Sequence, residues 1–370
     1  MAFGQVELRI LQISSAESFG GGERYVADLA NSLHERGHEI YAAVRPGAAL
    51  IDHLRLPAQR IVTLALRNGL DVQSAQALER FVRKHEIDVV HAHMERDYPL
   101  AAYAARRDAK FIATRHLLFP MSSLSSKALA SAHRVIAVSN ATARYLRAQW
   151  IVSDDRIAVV HNGVDLDRFA RALKNFDRAE FLRSKGLPPD CVLVGSIGEL
   201  RTLKRHDDFI QAAAIVAREF PDAYFVLAGV EPTKSGEVRK HLEQLVTQFR
   251  LDGRFHFLGW LDDAEQWLGA MDVFVSASET ESFGLAIAEA MAAETAVVAT
   301  KTDGAQEVLE DQKTGLLIDI GNIAQLAVAV SSLIIQTQKR KQLAARAKES
   351  VAAKFSLQRM VDEIEKLYAN

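Results

Sequence analysis

Cysteine is almost absent from this chain of 370 residues, in which Cys191 is the only one. A single thiol cannot form an internal disulfide, and it cannot supply the several thiolates of a cysteine-built metal site. A chain with so little cysteine fits a reducing compartment. The fold must therefore be held by hydrophobic cores and hydrogen bonds.

Long apolar runs are also missing. No stretch reaches the roughly 18 uninterrupted apolar residues of a membrane span, and the first apolar run, residues 8–13, is broken by Arg9 and Gln12. That run is too short for the apolar core of a secretory signal. We therefore expect a cytoplasmic protein. Contact with the inner face of a membrane stays open, because it needs only a surface patch.

Charge of one sign is not in excess. The formal net charge is −2 at pH 7, so no global field favours nucleic acid as a partner. What the chain does have is the composition of a globular protein, with 49% hydrophobic and 25% charged residues. Its length and composition predict two domains of ordinary size, each with a core of its own.

Short β-branched runs alternate with helical periodicity along both halves of the chain, which predicts α/β domains with parallel, doubly wound sheets. The alternation weakens in a charged stretch that holds Pro188 and Pro189. The predicted organisation is an N-terminal Rossmann-like domain, a linker, a C-terminal Rossmann-like domain and a last helix that packs back on the N-domain: residues 1–165, 166–190, 191–352 and 353–370. Two such domains are expected to face a cleft, with ligands beyond the carboxyl ends of the strands.

Three glycines, Gly20, Gly21 and Gly22, follow the first predicted strand and precede a helix. Glycines there let the backbone approach a ligand, and a helix N-terminus favours an anion. A flexible turn without a ligand is the alternative. The run is not G-x-G-x-x-G, which argues against a dinucleotide-dependent dehydrogenase.

A serine-rich stretch after a later strand places two carboxylates eight residues apart, Glu281 in the loop and Glu289 on the helix that follows Gly284. Free N–H groups at the start of that helix can hold phosphate oxygens, and carboxylates accept hydrogen bonds from pairs of hydroxyls. A nucleotide sugar needs both kinds of contact. The structural alternatives are a favourable charge at a helix start for Glu281 and a solvated face for Glu289.

This stretch resembles the Glu-x7-Glu signature of the retaining glycosyltransferases of family 4. Further segments resemble the same family in the same order along nearly the whole chain. They are Gly20-Gly21-Gly22-Glu23-Arg24, Arg36-Gly37-His38-Glu39-Ile40, Asp88-Val89-Val90-His91-Ala92-His93, Ala137-Val138-Ser139, His161-Asn162-Gly163-Val164-Asp165 with Phe169, and Thr302-Asp303-Gly304-Ala305-Gln306-Glu307. The resemblance implies a GT-B fold and transfer of a sugar from a nucleoside-diphosphate sugar, used as co-substrate with no other cofactor.

The resemblance also implies roles. Glu281 would contact the donor sugar and Glu289 the ribose hydroxyls. Lys204 would neutralise the diphosphate, and Gly20–Gly22 would let the first loop close on the substrates. His116, after a predicted strand, would lie near the reacting sugar, although a histidine read alone is more often structural. The diphosphate would also meet the backbone of three consecutive residues, Phe283, Gly284 and Leu285.

The chain departs from the family pattern at Glu199, where an arginine is usual. A carboxylate about 4 Å from a phosphate would cost roughly 4 kcal/mol at an effective dielectric near 20. We therefore expect Glu199 to turn away from the diphosphate and Arg201 to supply positive charge, unless Arg201 is merely a surface residue. Glu294 and Ala296 also replace a usual glycine and proline, which affects only a turn.

The resemblance implies retention of configuration, and no second carboxylate is evidently placed as a nucleophile, so we expect front-face substitution. No Asp-x-Asp motif lies in a suitable strand-end loop, which predicts metal independence; His91 and His93, two apart on a strand, are read as structural. The acceptor is expected to be a glycan or lipid-linked hydroxyl in cell-envelope or extracellular polysaccharide assembly. The apolar segment 117–121 either meets a lipid or membrane surface or packs on the N-domain core.

Three other functions fit parts of the pattern. A sugar-nucleotide epimerase or a phosphorylase on a similar frame would use no separate acceptor. A two-lobed binding protein would normally carry a secretion signal. A non-catalytic homologue would have lost donor binding, for which Glu199 is the only support, and Lys204, Glu281 and Glu289 argue against it.

Overall fold

The computed structural model describes residues 7–231 and 235–369. The strands are β1 Arg9–Ser14, β2 Glu39–Val44, β3 Ile61–Thr63, β4 Val89–Ala92, β5 Lys110–Arg115, β6 Arg134–Ala137, β7 Ile157–Val159, β8 Val192–Ile197, β9 Ala223–Ala228, β10 Phe255–Gly259, β11 Val273–Ser276, β12 Ala296–Thr300 and β13 Leu316–Ile318.

Helices connect and follow these strands. They are α1 Gly21–Glu35, α2 Val72–Lys84, α3 Tyr98–Ala105, α4 Ser123–Ala130, α5 Asn140–Ala148, α6 Leu166–Ala172, α7 Arg178–Ser184, α8 His206–Glu219, α9 Glu237–Gln248, α10 Ala264–Ala270, α11 Leu285–Ala292, α12 Asp303–Val308, α13 Ile323–Ile335, α14 Thr337–Lys354 and α15 Leu357–Ala369. Across the described ranges, no helix is both long enough and apolar enough to cross a bilayer.

The chain divides into two compact units, one of Met1–Gly163 with Leu357–Asn370 and the other of Val164–Ser356. Within the described residues, the first contains a parallel sheet in the order β3-β2-β1-β4-β5-β6-β7 and the second a sheet in the order β10-β9-β8-β11-β12-β13. In both sheets the first strand of the unit lies inside the sheet, and later strands are added first on one side of it and then on the other. This reversal of strand order is typical of Rossmann-like folds. The prediction of two parallel α/β domains is confirmed.

In the first unit the side chains of each strand alternate between two cores, because successive residues of a strand point to opposite faces. Leu11 and Ile13 of β1 pack with residues of α2, α3, α4 and α5. Ile10 packs on the other face with residues of α1 and α15. Helices therefore cover both faces of this sheet, and the last helix of the chain completes one of them.

The second unit also has a large core, and α8, α9, α13 and α14 contribute to it. Strands β8 and β11 are neighbours in its sheet, although five other helices and strands, α8, β9, α9, β10 and α10, lie between them in the chain. The loops that follow these two strands must therefore meet at the carboxyl end of the sheet, which is the point where doubly wound folds bind ligands.

Three details differ from the sequence predictions. The short edge strand β3 was not predicted, since three residues give too little periodicity. The stretch 166–190 is not a bare linker: it forms α6 and α7, whose first turns are capped by the side chains of Asp165 and Asp177, and it belongs to the second unit. Gly20 caps α1, but Gly21 and Gly22 lie in its first turn rather than in the loop.

Candidate active site

Lys204 and Glu281 lie together at the carboxyl end of the second sheet. Lys204 is in the short helical turn Thr202–Lys204 after β8, and Glu281 is in the loop after β11. The Lys204 Nζ lies 2.6 Å from Glu281 Oε1. The loops are also joined by a backbone hydrogen bond of 2.8 Å from the Glu279 N–H to the Leu203 carbonyl. The sequence thus named two residues that the fold brings into contact.

The turn between Glu281 and α11 is held by backbone contacts. Gly284 has φ +92, in the left-handed region that favours glycine, and it caps the helix. A Cβ added to Gly304 would lie 2.6 Å from the Glu281 carbonyl oxygen and 2.7 Å from the Phe283 nitrogen. The Gly304 N–H donates to that carbonyl at 3.0 Å. Only glycine fits at this place, so the start of α12 supports the turn.

The first turn of α11 offers backbone N–H groups, because the first N–H groups of a helix have no partner within the helix. The Phe283 side chain is buried and packs on Phe355, with 5.4 Å between the ring centroids. It is therefore its backbone, with the backbone of Gly284 and Leu285, that can meet a ligand. The positive end of the helix favours an anion at this point.

Glu289 lies on the second turn of α11, and its Oε1 accepts a hydrogen bond of 3.0 Å from Arg168 Nη2. Arg168 Nε also lies 2.8 Å from Glu265 Oε1. Sequence reasoning missed Arg168, because it lies in the stretch read as a linker. Glu289 is thus neither purely solvated nor isolated, because its carboxylate is oriented by the ion pair with Arg168.

Glu199 and Arg201 form an ion pair with each other. Both follow β8 and both are at least one-third exposed at the side chain. The backbone carbonyl of Glu199 lies 3.1 Å from His206 Nε2, and burial lowers the pKa of His206 to about 4. A neutral His206 at the start of α8 therefore holds the loop through this contact, a role that no sequence motif indicates.

In the first unit, polar side chains occupy the face of the sheet that α1 and α15 cover. Gln12 of β1, His91 of β4 and Thr114 of β5 share this face, with His93 and His116 just beyond the strand ends. We call these five residues the polar row. Burial lowers the pKa of His91 to about 3 and that of His93 well below its usual range. Both rings are therefore neutral near pH 7.

His116 directly follows β5, is partly buried, and packs edge-on against Tyr25 of α1 with 4.8 Å between the ring centroids. Burial and, to a smaller extent, the Arg115 guanidinium lower the pKa of His116 to about 4. A neutral imidazole can donate or accept one hydrogen bond without carrying charge. Because Tyr25 stands one turn after Gly20–Gly22, the glycines and His116 lie in the same region of the first unit.

Leu117 and Phe119 are more than 40% exposed, while Met121 packs against the core of α2, α3, α4 and α5. Part of the segment 117–121 thus packs on the N-domain core, while its contact with a lipid or membrane surface stays a prediction. In the described part of the chain, no group of three or more His, Cys, Asp or Glu residues is arranged to hold a metal ion.

The two parallel sheets and their surrounding helices define a two-domain α/β fold of the GT-B type. The sequence profile described as "Glycosyl transferases group 1" matches residues 177–350, and the profile described as "Glycosyltransferase Family 4" matches residues 19–168. Together they account for most of the chain, which belongs to glycosyltransferase family 4. The predicted family is confirmed, and the protein is a glycosyltransferase.

Several named relatives match over almost their full length. The chain is 29% identical to the lipopolysaccharide core biosynthesis glycosyltransferase LpsE of Rhizobium meliloti, over 95% of this chain and 96% of the relative. It is 26% identical to the UDP-Gal:alpha-D-GlcNAc-diphosphoundecaprenol alpha-1,3-galactosyltransferase of Escherichia coli, over 98% of this chain and 97% of the relative.

Solved structures share the fold. A glycosyltransferase from Rickettsia africae superposes with a TM-score of 0.86 at 22% identity, over 98% of both chains. HepE of Anabaena in complex with UDP-glucose superposes with a TM-score of 0.86 at 23% identity, over 98% of this chain and all of HepE. At such identities the likeness shows the fold alone.

Proposed function

We propose that this protein is a retaining, metal-independent glycosyltransferase that moves a sugar from a nucleoside-diphosphate sugar to a hydroxyl of a glycan or lipid-linked acceptor. The observation that carries the proposal is the contact of Lys204 with Glu281 beside the N-terminus of α11, with Glu289 on the next turn. The loop after β8 thus presents a cation, and the segment after β11 presents backbone N–H groups and two carboxylates beside it. These are the partners that a diphosphate between two sets of hydroxyls requires.

Donor binding would exchange partners at this site. The Lys204 Nζ lies 2.6 Å from Glu281 Oε1, and the Ser278 hydroxyl donates to the same carboxylate oxygen at 2.8 Å. A diphosphate would draw Lys204 away, and the sugar hydroxyls would replace it at Glu281. The ion pair therefore keeps both groups oriented before the substrate arrives, and its loss is a cost that the substrate must offset.

The chemical step would rest on stabilising the leaving diphosphate. As the bond to the anomeric carbon breaks, negative charge grows on the β-phosphate, where Lys204 and the N–H groups of Gly284 and Leu285 would meet it. In front-face substitution the departing phosphate oxygen takes the proton of the acceptor hydroxyl, which needs no protein base. Glu281, held by Lys204 and Ser278, serves as a binding group rather than as a nucleophile.

His116 would contact the reacting sugar as a neutral hydrogen-bonding group. A pKa near 4, caused by burial, keeps the ring uncharged at neutral pH. A neutral ring can bind a hydroxyl without attracting the negatively charged leaving group out of position. We assign to it a role in orientation rather than in proton transfer.

The ion pair between Glu199 and Arg201 bears on the departure from the family pattern. Because the two side chains neutralise each other, Glu199 would repel a diphosphate less than an unpaired carboxylate would. The same pairing means that Arg201 cannot offer a full free charge. We therefore propose that Arg201 acts mainly by neutralising Glu199, and we keep Lys204 as the principal cation.

The similar proteins support the class of substrate. HepE of Anabaena has been crystallised with UDP, with UDP-glucose, and with UDP and glucose. The named relatives act in lipopolysaccharide core biosynthesis and on a diphosphoundecaprenol-linked sugar. A uridine nucleotide is therefore the first donor to test, and assembly of a cell-envelope or extracellular polysaccharide is the proposed setting.

Nucleotide-dependent thermal stabilisation tests the donor site. A ligand at 100 times its dissociation constant adds about 2.7 kcal/mol to the free energy of unfolding, so UDP, GDP and ADP, with and without magnesium, should be compared by melting temperature. We expect one nucleotide to be preferred and magnesium to have no effect on it.

The matched pair Glu289→Ala and Glu265→Ala gives the control. Both carboxylates pair with Arg168, but only Glu289 is proposed to bind the ribose. The nucleotide shift should disappear in Glu289→Ala and persist in Glu265→Ala. If no nucleotide raises the melting temperature of the unaltered protein, the proposed donor site is wrong.

A further inference from the structure

The polar row is linked by hydrogen bonds to the last helix of the chain. Tyr368 of α15 is buried, and its Oη lies 2.6 Å from His91 Nδ1. The Gln12 Nε2 donates to the same Oη at 3.3 Å. A tyrosine hydroxyl has one proton. Since the Tyr368 oxygen already accepts from Gln12, its proton is the one that goes to His91.

This direction fixes the tautomer of His91. Its Nδ1 accepts the Tyr368 proton, so its own proton lies on Nε2, which is 2.7 Å from Thr114 Oγ1. Burial keeps the ring neutral, so it carries a single N–H. Three residues far apart in the chain thus form one hydrogen-bonded line across the face of the sheet.

The orientation of Gln12 fixes the tautomer of His93 as well. The Gln12 amide nitrogen faces Tyr368, so its Oε1 faces His93 Nε2, at 2.6 Å. A carbonyl oxygen only accepts, and His93 Nε2 must therefore carry the proton. The other nitrogen of the ring, Nδ1, then has a lone pair and no proton.

That lone pair has no partner. His93 is only 4% exposed, and its Nδ1 makes no hydrogen bond with any residue that the structure describes. An unpaired polar atom in such a place costs about 1–3 kcal/mol. Four more buried side-chain atoms without a hydrogen-bond partner lie at, or shortly after, the carboxyl ends of strands β1, β4 and β5. They are Ser14 Oγ, Asp97 Oδ1, Arg115 Nε and His116 Nε2.

These strands are neighbours in the sheet, so their carboxyl ends share one edge, where α/β folds bind ligands. His116 is partly exposed and its ring centroid lies 6.2 Å from that of His93, so a ligand that reaches His116 is close to His93. The unpaired atoms include both donors and acceptors, which matches a ligand with several hydroxyls better than an anion.

We propose that His93 Nδ1 accepts a hydrogen bond from a hydroxyl of a bound sugar, and that Tyr368, acting through Gln12, holds His93 in the tautomer that makes this contact. The proposal rests on the proposed function, since it assumes a sugar ligand. His93 is a binding residue that selects hydroxyl over a carboxylate or phosphate oxygen, because these oxygens have no proton to donate. Tyr368 is a positioning residue that acts only through the tautomer.

The tautomers can be measured without activity. In the full-length protein labelled with nitrogen-15 in histidine, long-range proton–nitrogen NMR spectra distinguish Nδ1–H from Nε2–H. We expect His91 and His93 both to carry the proton on Nε2. A flipped Gln12 amide would reverse the network and place both protons on Nδ1, and that result would overturn the proposal.

Sugar binding is then followed in the same spectra. Methyl α-glycosides of glucose, galactose and mannose serve as the probes, and at least one should move the His93 Nδ1 resonance. His93→Gln keeps a donor to Gln12 but removes the Nδ1 acceptor, so the affinity for that glycoside should fall about tenfold. His34→Gln, a change on α1 at another histidine with an unpartnered nitrogen, is the control and should bind normally.

Tyr368→Phe separates positioning from packing. The ring stays, but Gln12 and His91 lose their shared partner, so both histidines should populate two tautomers and glycoside affinity should fall severalfold. A His93 resonance that no glycoside moves, or equal affinity in His93→Gln and the unaltered protein, would overturn the proposal. Nucleotide stabilisation, which depends on Lys204, Glu281 and Glu289, reports separately on the proposed function.

Discussion

Acid should destabilise the first unit, because two fully buried histidines must become charged when it unfolds in acid. His91 has a pKa of about 3 and His93 one well below its usual range, both because of burial. In the unfolded chain a histidine has a pKa of about 6.5. A depressed histidine pKa in the folded state means that the unfolded state binds more protons below about pH 6.5. Stability is therefore lost as the pH falls through that value.

The size of the effect follows from the proton linkage. Between pH 7 and pH 5, each neutral buried histidine lowers the free energy of unfolding by about 1.8 kcal/mol. Burial raises the pKa of Asp97 to about 6. Between pH 7 and pH 5 the folded state therefore takes up a proton at this carboxyl, which raises the free energy of unfolding by about 1.3 kcal/mol. His116 is partly exposed, so it lowers the free energy of unfolding by less than a fully buried histidine does. The net loss should be about 2 to 4 kcal/mol.

The perturbation that isolates the effect is His91→Gln, measured by urea unfolding with circular dichroism at about pH 7 and pH 5. In this variant the free energy of unfolding should fall by about 1.8 kcal/mol less between the two pH values than in the unaltered protein, whatever the variant does to stability at pH 7. Ile112→Val is the control, since Ile112 lies beside His91 in the sheet and is also fully buried. It should cost about 1 kcal/mol equally at both pH values.

The reasoning fails if His91→Gln loses as much stability as the unaltered protein between the two pH values. That outcome would mean that the histidine is already charged in the folded protein, or that the unfolded state keeps it buried. The first explanation would contradict the neutral hydrogen-bonded line from which the tautomers were assigned, and the second would contradict the solvated unfolded state on which the magnitude rests.

Three further predictions concern the donor site. The Glu281→Gln variant should bind UDP about fivefold more tightly, measured by calorimetry, because Lys204 loses its competing carboxylate. Its rate of sugar transfer from a UDP-sugar should fall. Weaker UDP binding would contradict the exchange of partners. Gly304→Ala should reduce UDP affinity at least about tenfold, since a Cβ there collides with the backbone of the donor turn; unchanged affinity would show that the turn adapts. Arg168→Met should weaken UDP binding severalfold, because Arg168 orients Glu289. Adding Glu289→Gln to this variant should weaken UDP binding little further, because the two residues act together. Additive losses of UDP affinity would show that they act separately.

Local patterns allowed most of the fold to be predicted. The alternation of short β-branched runs with helical periodicity correctly predicted the two parallel sheets, because buried strands and amphipathic helices carry clear periodicity. The edge strand β3 has too few residues for such a signal. The stretch 166–190 was misread because its prolines and charges dominate, although Asp165 and Asp177 are ordinary N-cap residues.

From the residue pattern alone, the candidate site was predictable only where it is local, and Lys204, which is 77 positions from Glu281, was named through the family resemblance. Glu281, Gly284 and Glu289 share one turn and helix, so their spacing alone placed them together. The contact of Arg168 with Glu289 spans 121 positions and that of His91 with Tyr368 spans 277. No pattern in a single sequence marks pairs so distant, and only the folded sheet brings them into reach.

The return of the last helix to the first unit has a consequence for biosynthesis and for dissection of the protein. On the ribosome, residues up to Gly163 emerge first, yet the face of their sheet that Leu357, Met360 and Ile364 cover stays open until the rest of the chain has been made. A gene fragment that stops near Gly163 should therefore yield an aggregation-prone product. A fusion of residues 7–163 directly to residues 357–369 is the fragment to express when this unit is wanted alone.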